Sequence, residues 1–129
     1  MSPRSHHALL VLGILVAASA LPHSFAGWPP AAEALGAAGV DAGLITGLAV
    51  GWHFGSVAMV VLGAVVMLAW RDARAGGDFG WRAALAVGAA YLAFGVVELA
   101  VRGRPQFFGF VAIGAGLVWA SLRARPRRG

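Results

Sequence analysis

Four uninterrupted apolar runs, residues 8–26, 44–70, 82–101 and 106–122, constrain this chain more than any other feature. Each is close to or longer than the ~20 residues that a helix needs to cross a bilayer. The runs are continuous rather than alternating, which excludes the roughly 10-residue two-sided strands of a membrane barrel. The expected fold is therefore all-α, an integral membrane four-helix bundle. Composition agrees, since 60% of the 129 residues are hydrophobic and 12% are charged. The mean hydropathy of +0.79 is far above that of a soluble domain. Four crossings use nearly the whole length, so residues 1–129 form a single membrane domain with no room for a separate soluble one.

The first run also fits a second pattern. Arg4, the apolar stretch 8–17 and the small triplet Ala18-Ser19-Ala20 resemble a secretory signal peptide, and cleavage after Ala20 would leave three spans. Retention as the first of four spans is expected.

Charge sets the orientation. All ten basic residues are arginine, and lysine and cysteine are absent. Arg4, Arg71, Arg74, Arg82, Arg123, Arg125, Arg127 and Arg128 would lie on one side of the four spans, and only Arg102 and Arg104 on the other. By the positive-inside rule both termini are expected in the cytoplasm. Arginine without lysine, beside abundant Ala and Gly, fits a GC-rich bacterium and hence its inner membrane. The formal net charge of +5 does not point to nucleic acid, because the arginines flank spans, as in the tail "RARPRR". Absent cysteine excludes disulfides, thiolate metal sites and thiol redox chemistry.

The first outer loop opens with Pro29 and Pro30 and reaches Gly39, which predicts a short interfacial helix. The loop "RDARAGGDFGWR" reads as a solvated turn. Trp28, Trp70, Trp81 and Trp119 fall near span ends, where indoles favour the headgroup region. His6 and His7 lie in a polar tail and are expected to be solvated.

Within "GLAVGWHFGSVAM", Gly47, Gly51 and Gly55 repeat every four residues and predict a packing stripe. Thr46, His53 and Ser56 fall on the opposite side, His53 about 240° round the helix from Gly47. A helix with two protein-facing sides predicts a homo-oligomer or a larger membrane complex. Polar side chains in spans are costly, so their depths matter. With 1.5 Å rise per residue, His23 lies roughly 9 Å, His53 roughly 6 Å and Glu98 roughly 9 Å outward of mid-span. Ser19, Ser56 and Tyr91 extend the layer along each helix, and Arg102, Arg104 and Gln106 close it at the outer surface.

Three readings fit this layer. His23 and His53 could ligate a b-type haem axially, or join Glu98 in a site for a divalent metal such as zinc, iron or copper. Alternatively His23, His53, Ser56, Tyr91, Glu98 and Arg102 could line a pocket for a quinone, a lipid or a small solute, or pass protons. In the third, Glu98 pairs with Arg102 one turn later and the histidines only fix helix register. No catalytic residue is assigned, because no nucleophile is placed beside a base with a supporting third group. "GLAVGWHFG" lacks the Lys-Ser/Thr ending of a phosphate-binding loop.

Four short helices, a long first outer loop and a glycine-punctuated second helix resemble the DoxX-like group of small bacterial membrane proteins. The resemblance covers roughly residues 9–122. It is strongest in "AAGVDAGLITGLAVGWHFGSVAMVVLGAVVML", which is similar to that group's second helix with its closing Leu-Gly step, here Leu62-Gly63. An acidic residue often precedes this run in the group, and His53 stands at about that place. The group also commonly carries a basic residue after its first helix, where this chain has "LPHSFAGW". The resemblance implies a link to membrane redox systems, often as an accessory subunit, and names no reaction.

Overall fold

The computed structural model describes residues 3–126, with side chains from residue 7 onward. The side chains of Arg4 and His6, and residues Arg127 and Arg128, thus lie outside the described part. The described chain is helical and strand-free: α1 (Pro3–Ala18), a π-helical segment (Pro22–Gly27), α2 (Trp28–Ala37), α3 (Ala42–Arg74), α4 (Gly80–Arg102), a 3₁₀ turn (Pro105–Phe107) and α5 (Phe108–Ala124). Four stretches are long and apolar enough to cross a membrane, His7–Ala37, Ala42–Arg74, Gly80–Arg102 and Pro105–Ala124. The all-α four-helix bundle expected from the sequence is the observed architecture.

One boundary differs in kind. The first apolar stretch does not stop before Pro29 but continues to Ala37 as one helical rod. Pro22, Pro29 and Pro30 each lack a backbone N–H, so a plain i→i−4 ladder cannot run through them. The chain stays in right-handed helical geometry at Leu21, Gly27 and Trp28 and instead widens to π register over Pro22–Gly27. Just before the break, Ser19 Oγ donates to the Val16 carbonyl at 2.6 Å, a back-bond that bends helices. Pro29 and Pro30 then occupy the first turn of α2, where the missing donors cost little. The rod ends where Gly39 turns left-handed at φ 75°, with Gly39 N donating to Gly36 O and Val40 N to Leu35 O. Asp41 then opens α3 by accepting from Leu44 N at 3.1 Å.

The helices close into a ring. α1 packs on α3 and α5, and α4 packs on the same two, which leaves α1 and α4 on a diagonal. Small residues let the backbones approach. A Cβ on Gly63 would fall 2.6 Å from both Ala17 N and Gly13 O, and one on Gly114 would strike the backbone of Leu92. The core is correspondingly lean, with Leu9, Val16, Val66 and Leu117 fully buried among Ala69, Ala73, Ala84 and Ala120. Because α1 supplies Leu9 and Val16, cleavage after Ala20 would open that core.

Larger apolar side chains face outward, among them Val50, Val57, Leu68, Val97, Val101 and Leu122. In each apolar window only 22–28% of residues are buried. Such an inside-out surface is compatible with contact to a lipid bilayer, and in water it would be an aggregation hazard.

Replacing Gly63 by Val should destabilise the bundle by about 1–3 kcal/mol through overpacking against the α1 backbone. Gly47→Val should cost little, because a Cβ there meets nothing within 4 Å. Thermal unfolding of the two variants in the same detergent checks this. Equal losses would contradict the α1–α3 contact.

Candidate functional site

The π-helical segment brings the site together. Widening of the backbone between Pro22 and Gly27 leaves carbonyls and side chains turned toward the α3 face that carries Trp52, Gly55 and Ser56. His23 O, within the π-helical segment, accepts from Trp52 Nε1 at 2.7 Å. The His23 ring stacks on the Trp52 indole with centroids 4.5 Å apart and planes within 4°. Room for that indole comes from Gly27, where a Cβ would fall 2.9 Å from the Trp52 ring.

Beside this stack runs a hydrogen-bonded chain. Ser24 Oγ lies 3.0 Å from His53 Nδ1 and 2.7 Å from Ser56 Oγ. Ser56 is buried, whereas His53 is exposed. The Trp28 ring stands edge-on to His53 at 6.1 Å and tilted to Trp52 at 5.7 Å. One turn lower on the same interface, Ser19 Oγ approaches Met59 Sδ at 3.6 Å.

This chain has two directions, since Ser24 holds one hydroxyl proton and has two partners. When Ser56 donates to Ser24 and Ser24 donates to His53 Nδ1, the neutral imidazole carries its proton on Nε2 and offers a donor outward. When His53 Nδ1–H donates to Ser24 and Ser24 donates to Ser56, Nε2 is an acceptor. The same geometry can therefore meet either a carbonyl oxygen or a hydroxyl group.

Of the residues expected in the layer, His23, His53 and Ser56 come together. Glu98 and Arg102 do not join them. They form an i,i+4 ion pair on α4, with Arg102 Nε donating to Glu98 Oε2. Tyr91 is buried between α4 and α5, its ring 5.5 Å from Phe110. Among the described residues no three His, Asp or Glu side chains are grouped so as to hold a metal ion, so the His23–His53–Glu98 set is not assembled. The reason is lateral position rather than depth. Gly80 on α4 stands against the Ala69 carbonyl on α3. Counting along these antiparallel helices puts Glu98 about level with Gly51, yet at 100° per residue His53 projects about 160° round α3 from Ala69. His53 thus leaves α3 on the side away from α4.

The glycine stripe also divides. Gly47 and Gly51 are exposed and open, while a Cβ on Gly55 would sit 3.4 Å from His23 Nε2. Four-residue steps advance a stripe by about 40° each, so the third glycine rotates from the open side into the histidine contact.

No protein-family model, no curated protein and no solved structure matches this chain. Two participants were not singled out from the sequence, Ser24 and Trp52. Each adjoins a histidine in sequence, in "PHS" and "GWHF", and the proline-broken stretch beginning at Pro22 was the available signal that carbonyls there would seek side-chain donors.

Replacing Ser24 by Ala should destabilise the protein by about 1–2 kcal/mol, since it strips a partner from both buried Ser56 and His53. It should also raise the rate at which diethyl pyrocarbonate modifies His53. An unchanged melting temperature together with an unchanged modification rate would contradict the hydrogen-bonded chain.

Proposed function

We propose that this chain is an accessory or small-ligand-binding subunit of a redox-linked system in a bacterial inner membrane, and that its ligand is a quinone-type headgroup. The carrying observation is the Ser56–Ser24–His53 chain, which ends on an exposed imidazole within an apolar span. An uncovered imidazole at that depth is expensive, so a ligand or partner over it relieves the cost. A quinone presents carbonyl oxygens and its reduced form presents hydroxyls, and the reversible chain suits both. Trp28 supplies an indole beside His53 for contact with the ring.

The arginine asymmetry supports a cytoplasmic position for both termini and an outward position for His53. The resemblance to the DoxX-like group supports the redox-linked, accessory role. Gly47 and Gly51, open on their helix, supply a face where a second copy or a larger membrane enzyme can approach closely.

A short-chain benzoquinone titrated into the detergent-purified protein should quench tryptophan fluorescence saturably. His53→Ala should weaken that binding about tenfold, the loss of one good hydrogen bond, while far-ultraviolet circular dichroism stays unchanged. Quenching that is non-saturable, or equal in wild type and variant, would overturn the quinone reading. A His53→Ala protein that melts lower with no change in quenching would mean the histidine only fixes helix register.

A further inference from the structure

The opposite end of the bundle carries a second, differently built site. The indoles there are paired with arginine. Arg74 lies over Trp70 at 5.1 Å, Arg82 and Arg125 over Trp81 at 5.3 and 5.4 Å, and Arg123 over Trp119 at 5.7 Å. Acidic groups at this end are already engaged. Asp72 Oδ2 accepts from Gly80 N at 2.6 Å, and Asp78 holds Arg82 at 3.0 Å and Trp81 Nε1 at 2.9 Å.

Among the described residues Arg71, Arg74, Arg123 and Arg125 at this end stand without an acidic partner, and Arg71 and Arg74 share one groove. Both are exposed, and with Trp70 and Ala75 they line a groove of about 320 Å³ at the end of α3. The carbonyls of this last turn do not need them either. Ala75, Gly76 and Gly77 N–H groups already cap Arg71, Ala73 and Asp72 carbonyls. Two unneutralised guanidiniums, one of them over an indole, thus flank one groove where a spanning helix leaves the apolar layer.

We infer that the Trp70–Arg71–Arg74 groove binds the phosphate of an anionic phospholipid headgroup. Planar guanidiniums match phosphate oxygens in paired hydrogen bonds, and basic sites at the ends of spanning helices are where headgroup phosphates lie. A headgroup carrying its own ammonium, such as choline, would bring a cation against Arg71 and Arg74, so the groove selects phosphatidylglycerol over phosphatidylcholine. The indole of Trp70 lies where glycerol and upper acyl carbons would rest.

Native mass spectrometry of the full chain, released from mild detergent with each lipid added, tests this. Phosphatidylglycerol adducts should persist at activation that strips phosphatidylcholine. Arg71→Gln with Arg74→Gln should weaken phosphatidylglycerol binding about thirtyfold, from two charge contacts at the membrane surface. Arg104→Gln, at the other end, should leave it unchanged. The charge-preserving pair Arg71→Lys and Arg74→Lys should keep most of the selectivity, and it replaces the glutamine pair as the test should the latter fail to fold. Equal retention of the two lipids by wild type, an equal loss with Arg104→Gln, or displacement of phosphatidylglycerol by millimolar inorganic phosphate would each overturn the inference, the last by making the ligand a free anion.

Discussion

The hydrogen bond from the Trp52 indole N–H to the His23 carbonyl anchors the part of this molecule where chemistry is concentrated. An apolar helix has no water to satisfy a broken ladder, so the backbone must find protein partners. From Pro22, which has no N–H to donate back to the Ala18 carbonyl, the chain widens to π register over six residues, and within that segment the His23 carbonyl accepts from the Trp52 indole N–H. That bond pins the first rod to α3, and Ser24 in the same segment lies between His53 and Ser56. The helical defect and the polar cluster are thus one feature. π-Helical insertions recur at functional sites for this reason, since a stretch that must borrow donors also orients side chains.

The rest of the bundle holds the two rods in place by a different means. Lipid offers little hydrophobic drive for helix association, and close backbone packing through small residues takes over. Gly13 and Ala17 against Gly63, and Gly88 and Leu92 against Gly114, fix the α1–α3 and α4–α5 pairs. α3 meets α4 at Ala69 and Gly80, while Gly47 and Gly51 farther along α3 stay open. The histidine cluster sits between the π-helical segment and α3, away from α4.

Much of this was legible in the chain, and what was not has a geometric cause. Run length and hydropathy determine the four helices, because length against bilayer thickness leaves few alternatives. His23, His53 and Ser56 were legible because a polar group in an apolar span needs a partner. Depth along a helix follows from counting, and Glu98 does lie near the level of His53. Azimuth across a bundle depends on the ring order of helices, which counting does not supply, so Glu98 ends with Arg102 rather than with the histidines. Ser24 escaped notice because its role comes from a register change that periodicity assumes away. Gly47, Gly51 and Gly55 were read as one packing stripe, yet of the three only Gly55 meets a neighbour, as an azimuthal drift of about 40° per four-residue step accumulates over two turns.

The claim on which the site rests is the docking of the π-helical segment on α3, and a chain without cysteine allows it to be measured cleanly. Cysteines in place of Ser24 and Ser56, whose oxygens are 2.7 Å apart, should form an intramolecular disulfide under mild oxidation in native membranes. A cysteine pair replacing Ser24 and Glu98 should not. Failure of the Ser24–Ser56 pair to cross-link, or equally rapid cross-linking between positions 24 and 98, would contradict the arrangement.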